Sequence, residues 1–187
     1  MRNFIDDHVE LSCVVDTREQ LPYTEQELGI KCISRKNDFG DYTFFGEYKT
    51  DDGELNTFDL GLAIERKGGN GLKGGPQDFY GSTMVRKNSV NLYEEVGRFR
   101  DNKDFDIFLI FVECSYAEYL AYVIPSKRCN MRAEIMKTHA SRRGKVASLE
   151  IQGAQVCFKG SRFNSAKDVK VTADQWMIKH YDMVLNL

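Results

Sequence analysis

Gly40-Asp41 and Glu65-Arg66-Lys67 are the residues of this sequence best suited to chemistry. Asp41–Phe45 (DYTFF) is rich in strand-favouring residues, and Phe58–Arg66 (FDLGLAIER) reads as the return arm of a hairpin across the acidic loop Glu47–Asn56. Side chains alternate faces along a strand, so Glu65 and Lys67 point one way and Arg66 the other. The hairpin brings Asp41 near Glu65. Two carboxylates and a lysine on one face make an oxygen-ligand site for a hard cation such as Mg²⁺. The lysine would orient or help deprotonate a water while the metal offsets charge developing on a phosphate. That is phosphodiester hydrolysis. By themselves the same residues equally describe a surface ion-pair cluster at a sheet edge.

The elements that must position them follow from pattern. Leu11–Asp16 (LSCVVD) is a buried strand delivering the polar cluster Asp16-Thr17-Arg18-Glu19 at its end, and Ile30–Arg35 alternates as a second strand. On this reading Asp16 and Arg18 share a strand face, setting a carboxylate against a phosphate-binding guanidinium or forming a structural ion pair. Gly68–Gly75 (GGNGLKGG) is a loop, and Gln77 to Arg100 is helical with a break near Asn88-Ser89. Asp106–Glu113 (DIFLIFVE) is apolar on both faces, as in a central strand covered on both sides; Glu113 either adds to the acidic site or marks the strand's exit. Helices over Tyr116–Tyr122 and Cys129–Val146, a strand at Ala154–Lys159 and a helix capped by Thr172 through about Leu185 complete the chain. The order predicts an α/β or α+β sandwich, which a mixed sheet with helices on both faces fits.

Composition sets the limits. With 187 residues, 42% hydrophobic and 29% charged, the chain is globular, and one domain spanning 1–187 is expected. The net charge of −2 argues, taken whole, against a nucleic-acid binder. The average conceals a polarity: residues 1–60 carry 6 basic and 14 acidic side chains, and residues 121–187 carry 12 and 5. Lys127, Arg128, Arg132, Lys137, Arg142, Arg143 and Lys145 face only Glu134 among acids. Such a segment neutralises phosphates without reading sequence, or is simply a solvated helix face. The odd, widely spaced Cys13, Cys32, Cys114, Cys129 and Cys157 support neither a zinc site nor a disulfide framework, and an intracellular setting is expected. No signal peptide or membrane span is read, no phosphate-binding nucleotide loop follows the glycines, and His8, His139 and His180 stand isolated. Trp176 is expected to pack.

Four separated motifs carry a resemblance: Val14-Val15-Asp16-Thr17-Arg18-Glu19-Gln20-Leu21-Pro22-Tyr23, Gly40-Asp41-Tyr42, Ala63-Ile64-Glu65-Arg66-Lys67 and Asp78-Phe79-Tyr80-Gly81-Ser82. Together, from about Leu11 to Glu113, they resemble the nuclease domain of the XPF family, especially its short stand-alone phage, viral and microbial versions. The resemblance implies a restriction-endonuclease-like fold and Mg²⁺- or Mn²⁺-dependent cleavage of DNA, selective for branched or flapped forms, in repair, recombination or replication. It also implies a homodimer as one arrangement; the intracellular setting expected from the cysteines is cytoplasmic, or nuclear if the source is eukaryotic or a nucleus-replicating virus. Motif by motif, it makes Asp41 and Glu65 metal-binding carboxylates and Lys67 the catalytic lysine. Arg66 belongs to the same signature, while Asp16, Arg18 and Glu19 match the site-edge element, and Asp78 the acidic residue after the signature.

Departures are specific. Gly68–Gln77 pushes Asp78 eleven positions beyond Lys67, farther than the family's spacing, as a flap or a tolerated surface insertion. The family's arginine-bearing segment has only a loose counterpart in Arg86-Lys87 or Arg98-Phe99-Arg100. The tandem helix–hairpin–helix module is not found in Ser126–Leu187, which reads as a closing helix–strand–helix. Two rivals follow: a Holliday-junction resolvase or mismatch- or damage-directed nuclease on the same fold, and a catalytically silent DNA-binding scaffold that needs a partner.

Overall fold

A computed structural model describes residues 9–50, 52–68, 74–84, 91–103, 105–122 and 131–185, with the side chains of 131–138 and 182–185 excepted. Its strands are β1 (Val9–Val15), β2 (Lys31–Ser34), β3 (Tyr42–Lys49), β4 (Leu55–Lys67), β5 (Ile107–Val112) and β6 (Ala154–Phe158). Its helices are α1 (Glu25–Leu28), α2 (Gly74–Ser82), α3 (Leu92–Arg100), α4 (Tyr116–Ala121), α5 (Met131–Ile151) and α6 (Arg162–Leu185). The strands form one sheet in the order β2-β1-β3-β4-β5-β6. β1 is parallel to β2 and antiparallel to β3, and β3 is antiparallel to β4, so the sheet is mixed and the chain α/β.

The expected hairpin is present, and longer than its apolar pattern suggested. β3 runs to Lys49 and β4 starts at Leu55, so both ends of the expected loop, Glu47–Lys49 and Leu55–Asn56, are strand. Cross-strand hydrogen bonding holds polar residues in register where propensity alone predicts a turn. Leu60–Arg66 of β4 and Phe108–Val112 of β5 are buried without alternation, so both faces of these strands are covered. Helix starts obey local chemistry: Thr24/Glu27, Asn91/Glu94 and Ser115/Glu118 each form a reciprocal capping box ahead of α1, α3 and α4.

The closing helix departs from expectation. α6 begins at Arg162, and Thr172 lies inside it rather than at its cap. Ser161 Oγ accepts from the Asn164 amide at 3.2 Å and does the capping. Ala166, Val169, Ala173, Met177 and Tyr181 are all buried, a three-to-four-residue spacing that runs through the Thr172 position.

The chain divides into two compact units. The first comprises Met1–Glu65, Lys103–Phe108 and Ala166–Leu187. Within it Tyr23 stacks on Tyr42 at 5.3 Å, and the buried Tyr23 amide donates to the Tyr42 hydroxyl. Trp176 packs as expected and donates its indole N–H to the Leu60 carbonyl at 2.6 Å. The second comprises Arg66–Asn102 and Leu109–Ser165. Phe79, Tyr119 and Phe158 form its aromatic centre, with ring separations of 5.0 to 5.9 Å. Among the described residues, no helix is long and apolar enough to cross a membrane.

Candidate active site

In the first unit, three strands bring three acidic positions together through the backbone. The Asp16 amide, just past β1, donates to the Asp41 carbonyl at 2.8 Å, and the Asp41 amide, just before β3, donates to the Ile64 carbonyl at 2.9 Å. Asp41 therefore sits beside the Ile64-Glu65 peptide of β4. Gly40 makes this possible. Its φ of +63° is left-handed, and a Cβ there would lie 2.9 Å from the Ile64 carbonyl oxygen. Asp41 is half-buried and Glu65 is 6% exposed. Gly40→Ala is expected to cost about 1–3 kcal/mol, from left-handed strain plus the clash with β4; urea denaturation reads this as a lowered midpoint at unchanged slope.

Asp16 and Arg18 do not share a strand face, because β1 ends at Val15 and Arg18 lies in the turn beyond it. The turn folds Arg18 back instead. Its Nε donates to Asp16 Oδ1 at 2.9 Å and its amide to the same oxygen at 2.7 Å. The Asn37 amide donates to Asp16 Oδ2 at 3.1 Å. Glu19 likewise serves the turn, accepting from the Leu21 amide. Asn37, which no sequence pattern singled out, is the buried cross-brace. Its side-chain amide donates to the Val14 carbonyl at 3.2 Å and reaches the Asp41 carbonyl at 3.5 Å, while its Oδ1 accepts from Thr43.

Burial pushes the Asp16 carboxyl upward, but the hydrogen bonds from Arg18 and Asn37 outweigh it and hold the group below its ordinary value. A lowered folded-state value means stability that is present above the unfolded carboxylate range, about 3.9, and lost as pH falls through the folded value. The stability gap between the native chain and Asp16→Asn is therefore expected to be constant near neutrality and to shrink below about pH 4. Urea midpoints at a series of pH values check it.

In the second unit, Lys67 ends β4, half-buried, with its carbonyl accepting from the Glu113 amide at 3.0 Å. Arg66 is committed elsewhere. Its Nε and Nη2 reach the two Glu113 oxygens at 2.7 and 3.0 Å, and the side chains are only 5% and 8% exposed. Glu113 does not exit into water; it neutralises a buried guanidinium in bidentate geometry. The glycine-rich segment passes close to Glu113 at both ends. A Cβ on Gly68 would collide with the Glu113 carboxylate, and one on Gly75 would lie 2.7 Å from the Glu113 carbonyl oxygen. Residues 69–73 of that segment are outside the described residues. Asp78 is on α2, half-buried, its carbonyl accepting from the Ser82 hydroxyl at 2.9 Å.

No protein-family model matches this chain, and no curated protein does. Among solved structures it is similar to XPF from Aeropyrum pernix: 16% identity, a TM-score of 0.50, and coverage of 94% of this chain and 69% of that one. The fold is XPF-like. The mixed sheet expected from the order of elements is seen in the strand order, and a solved neighbour shares the fold.

The basic segment of this XPF-like chain is less uniform than its sequence. Arg142 is a correction: it is 0% exposed and cannot face a phosphate backbone. Its Nη1 donates to the Tyr119 carbonyl at 2.8 Å and to that of Leu120, at the C-terminal end of α4, where the helix dipole favours a cation. The Tyr80, Tyr119 and Tyr122 rings surround it at 5.5 to 5.8 Å. Burial lowers its proton affinity, which a solvated helix face would not do. Lys145 is also engaged, donating to the Thr83 carbonyl and hydroxyl at 3.0 and 3.1 Å. Arg98 on α3 and Arg143 on α5 are exposed. Arg86, Lys87, Lys127 and Arg128 lie outside the described residues, as do the side chains of Arg132 and Lys137 on α5.

Among the described residues, no three His, Cys, Asp or Glu side chains group as a metal cage. Mg²⁺ does not need one. It is commonly held by one or two carboxylates and fills its remaining positions with water and substrate phosphate. Asp41 and Glu65 supply that number of hard oxygen donors from neighbouring strands joined at the Asp41–Ile64 hydrogen bond, so the donor set of this XPF-like fold fits the ion.

Proposed function

We propose that the chain is a divalent-metal-dependent endodeoxyribonuclease of the XPF type, acting on branched or flapped DNA. The observation that carries this reading is the Asp41 amide bonded to the Ile64 carbonyl, one residue before Glu65 on the strand that also holds Lys67. In this reading Asp41 and Glu65 hold Mg²⁺ or Mn²⁺. The bound ion supplies a more acidic water and neutralises charge on the scissile phosphate. Lys67, two residues beyond Glu65 and so on the same strand face, orients the attacking water or takes up its proton.

The remaining signature residues act through others. Asp16 and Arg18 hold the turn whose first amide anchors Asp41, and Glu19 closes that turn on Leu21. Arg66 is a positioning residue that ties the end of β4 to Glu113. Asp78 is proposed as a further acidic group of the site, and exposed Arg98 and Arg143 as phosphate contacts of the salt-dependent, sequence-independent kind.

The test is direct. Purified chain with Mn²⁺ or Mg²⁺ is incubated with flap, splayed-arm, four-way and linear DNA, and products are mapped at nucleotide resolution. Metal-dependent nicking of branched over linear substrates is expected. A folded protein that cuts none of them with either ion overturns the reading, and a preference for symmetric cuts in the four-way substrate replaces it with a junction resolvase.

A further inference from the structure

Cys13 and Cys32 are nineteen residues apart in sequence and directly paired in space. They are register partners on the parallel strands β1 and β2. Neighbouring strands lie about 4.8 Å apart, inside the Cα separation of roughly 4.4–6.8 Å that a disulfide spans. The Cys32 thiol donates to the Ile30 carbonyl at 3.4 Å. Cys13 is completely buried, whereas Cys32 is half-buried on a four-residue strand at the sheet edge. An edge strand bonded on one side only adjusts to a new cross-link more readily than a central one. Both cysteines are reduced in the structure, as are Cys114 and Cys157.

We propose that Cys13 and Cys32 are a redox modification site, with Cys32 attacking and Cys13 resolving, whose co-reactant is a low-molecular-weight disulfide. The Cys32 thiolate attacks one sulfur of the small disulfide, forming a mixed disulfide and expelling one small thiolate. The deprotonated Cys13 sulfur then attacks Cys32 Sγ, closing the Cys13–Cys32 bond and expelling the second. The protein loses two electrons and two protons, and the small disulfide gains both as two free thiols.

The electrostatics favour this order. The adjacent Cys32 sulfur, followed by burial, holds the Cys13 thiol well above its ordinary value. The adjacent Cys13 thiol lowers Cys32, against the upward push of burial and of the Glu25 carboxylate, whose Oε2 accepts from the Cys32 amide at 3.3 Å. The reachable sulfur is therefore the better nucleophile. Cys114 shows the contrast of a thiol that only packs: buried, it is pushed up to about 12 by burial, with Glu118 adding to it.

The experiment treats the folded chain with oxidised glutathione, blocks free thiols with an alkylating agent and maps peptides by mass spectrometry. Loss of two hydrogen atoms in a Cys13–Cys32 cross-linked peptide is expected. Cys13→Ser should instead accumulate a glutathione adduct on Cys32, and Cys32→Ser should show neither product at the pair. Full alkylation of both cysteines in the treated native chain overturns the proposal. So does a lasting Cys32 adduct beside a reduced Cys13, or cross-linking that runs through Cys114 or Cys157 instead.

Discussion

Asp41→Asn is expected to lower metal-dependent cleavage of a flap substrate by roughly 10²–10³-fold, the loss typical when one preorganised electrostatic contact to a developing charge is removed. The substitution keeps the shape and the backbone while removing a negative charge. Both backbone contacts of Asp41, from the Asp16 amide and to the Ile64 carbonyl, survive it, so the junction of β1, β3 and β4 is kept. Lys67→Ala belongs to the same experiment. Removing a positioned proton-transfer group costs about 10²–10⁴-fold. Lys67 ends β4 and is half-buried, so its truncation is also expected to leave the fold intact. Single-turnover cleavage at saturating metal reads the chemical step, and metal titration separates the two variants: Asp41→Asn should need more Mn²⁺, whereas Lys67→Ala should not. Wild-type rates in either variant would remove that residue from the reaction.

The largest expected loss of stability is at Glu113. Replacing it with alanine leaves the Arg66 guanidinium, with a side chain only 5% exposed, without its bidentate carboxylate. Breaking one partner of a buried pair costs about 3–5 kcal/mol, because the remaining charge stays desolvated. For a chain of this size each kcal/mol lowers Tm by about 2–4 °C, so a fall on the order of 10 °C is expected by thermal melting. The double substitution Arg66→Met with Glu113→Leu should recover most of it, since an apolar pair of similar volume is often neutral at such a site. If Glu113→Ala melts within a degree or so of the native chain, the pair is not buried as described. The glycines bear on the same point. Gly68 leaves the room that the ion pair occupies, and Gly75 the room taken by the Glu113 backbone carbonyl.

Much of the catalytic reading is local, and local features are legible. Glu65 and Lys67 are two apart on a strand whatever the rest of the chain does. The alternating and apolar runs became β1 to β6 within a few residues of their expected ends, since strand propensity and burial act on neighbouring residues. The three capping boxes stand in the sequence as a Ser, Thr or Asn three residues before a Glu, although the four-residue α1 was not expected. The start of α6 was misplaced because Thr172 is an equally good local cap; the buried stripe that overrides it depends on what packs against the helix.

The sequence by itself determined the strand and helix runs, the order of the motifs and the separation of acidic and basic thirds. It also accounts for the net charge of −2, as an acidic N-terminal third offset by a basic C-terminal one. Only the tertiary structure decided which partner each charged or reactive group received. Arg66 found Glu113 forty-seven residues away, Asn37 braced Asp16 and Asp41, Arg142 went inside among tyrosines, and Cys13 met Cys32. The reason is that a backbone run is selected by residues a few positions away. A buried partner is selected by strand order and register, and the order β2-β1-β3-β4-β5-β6 is a property of the whole chain.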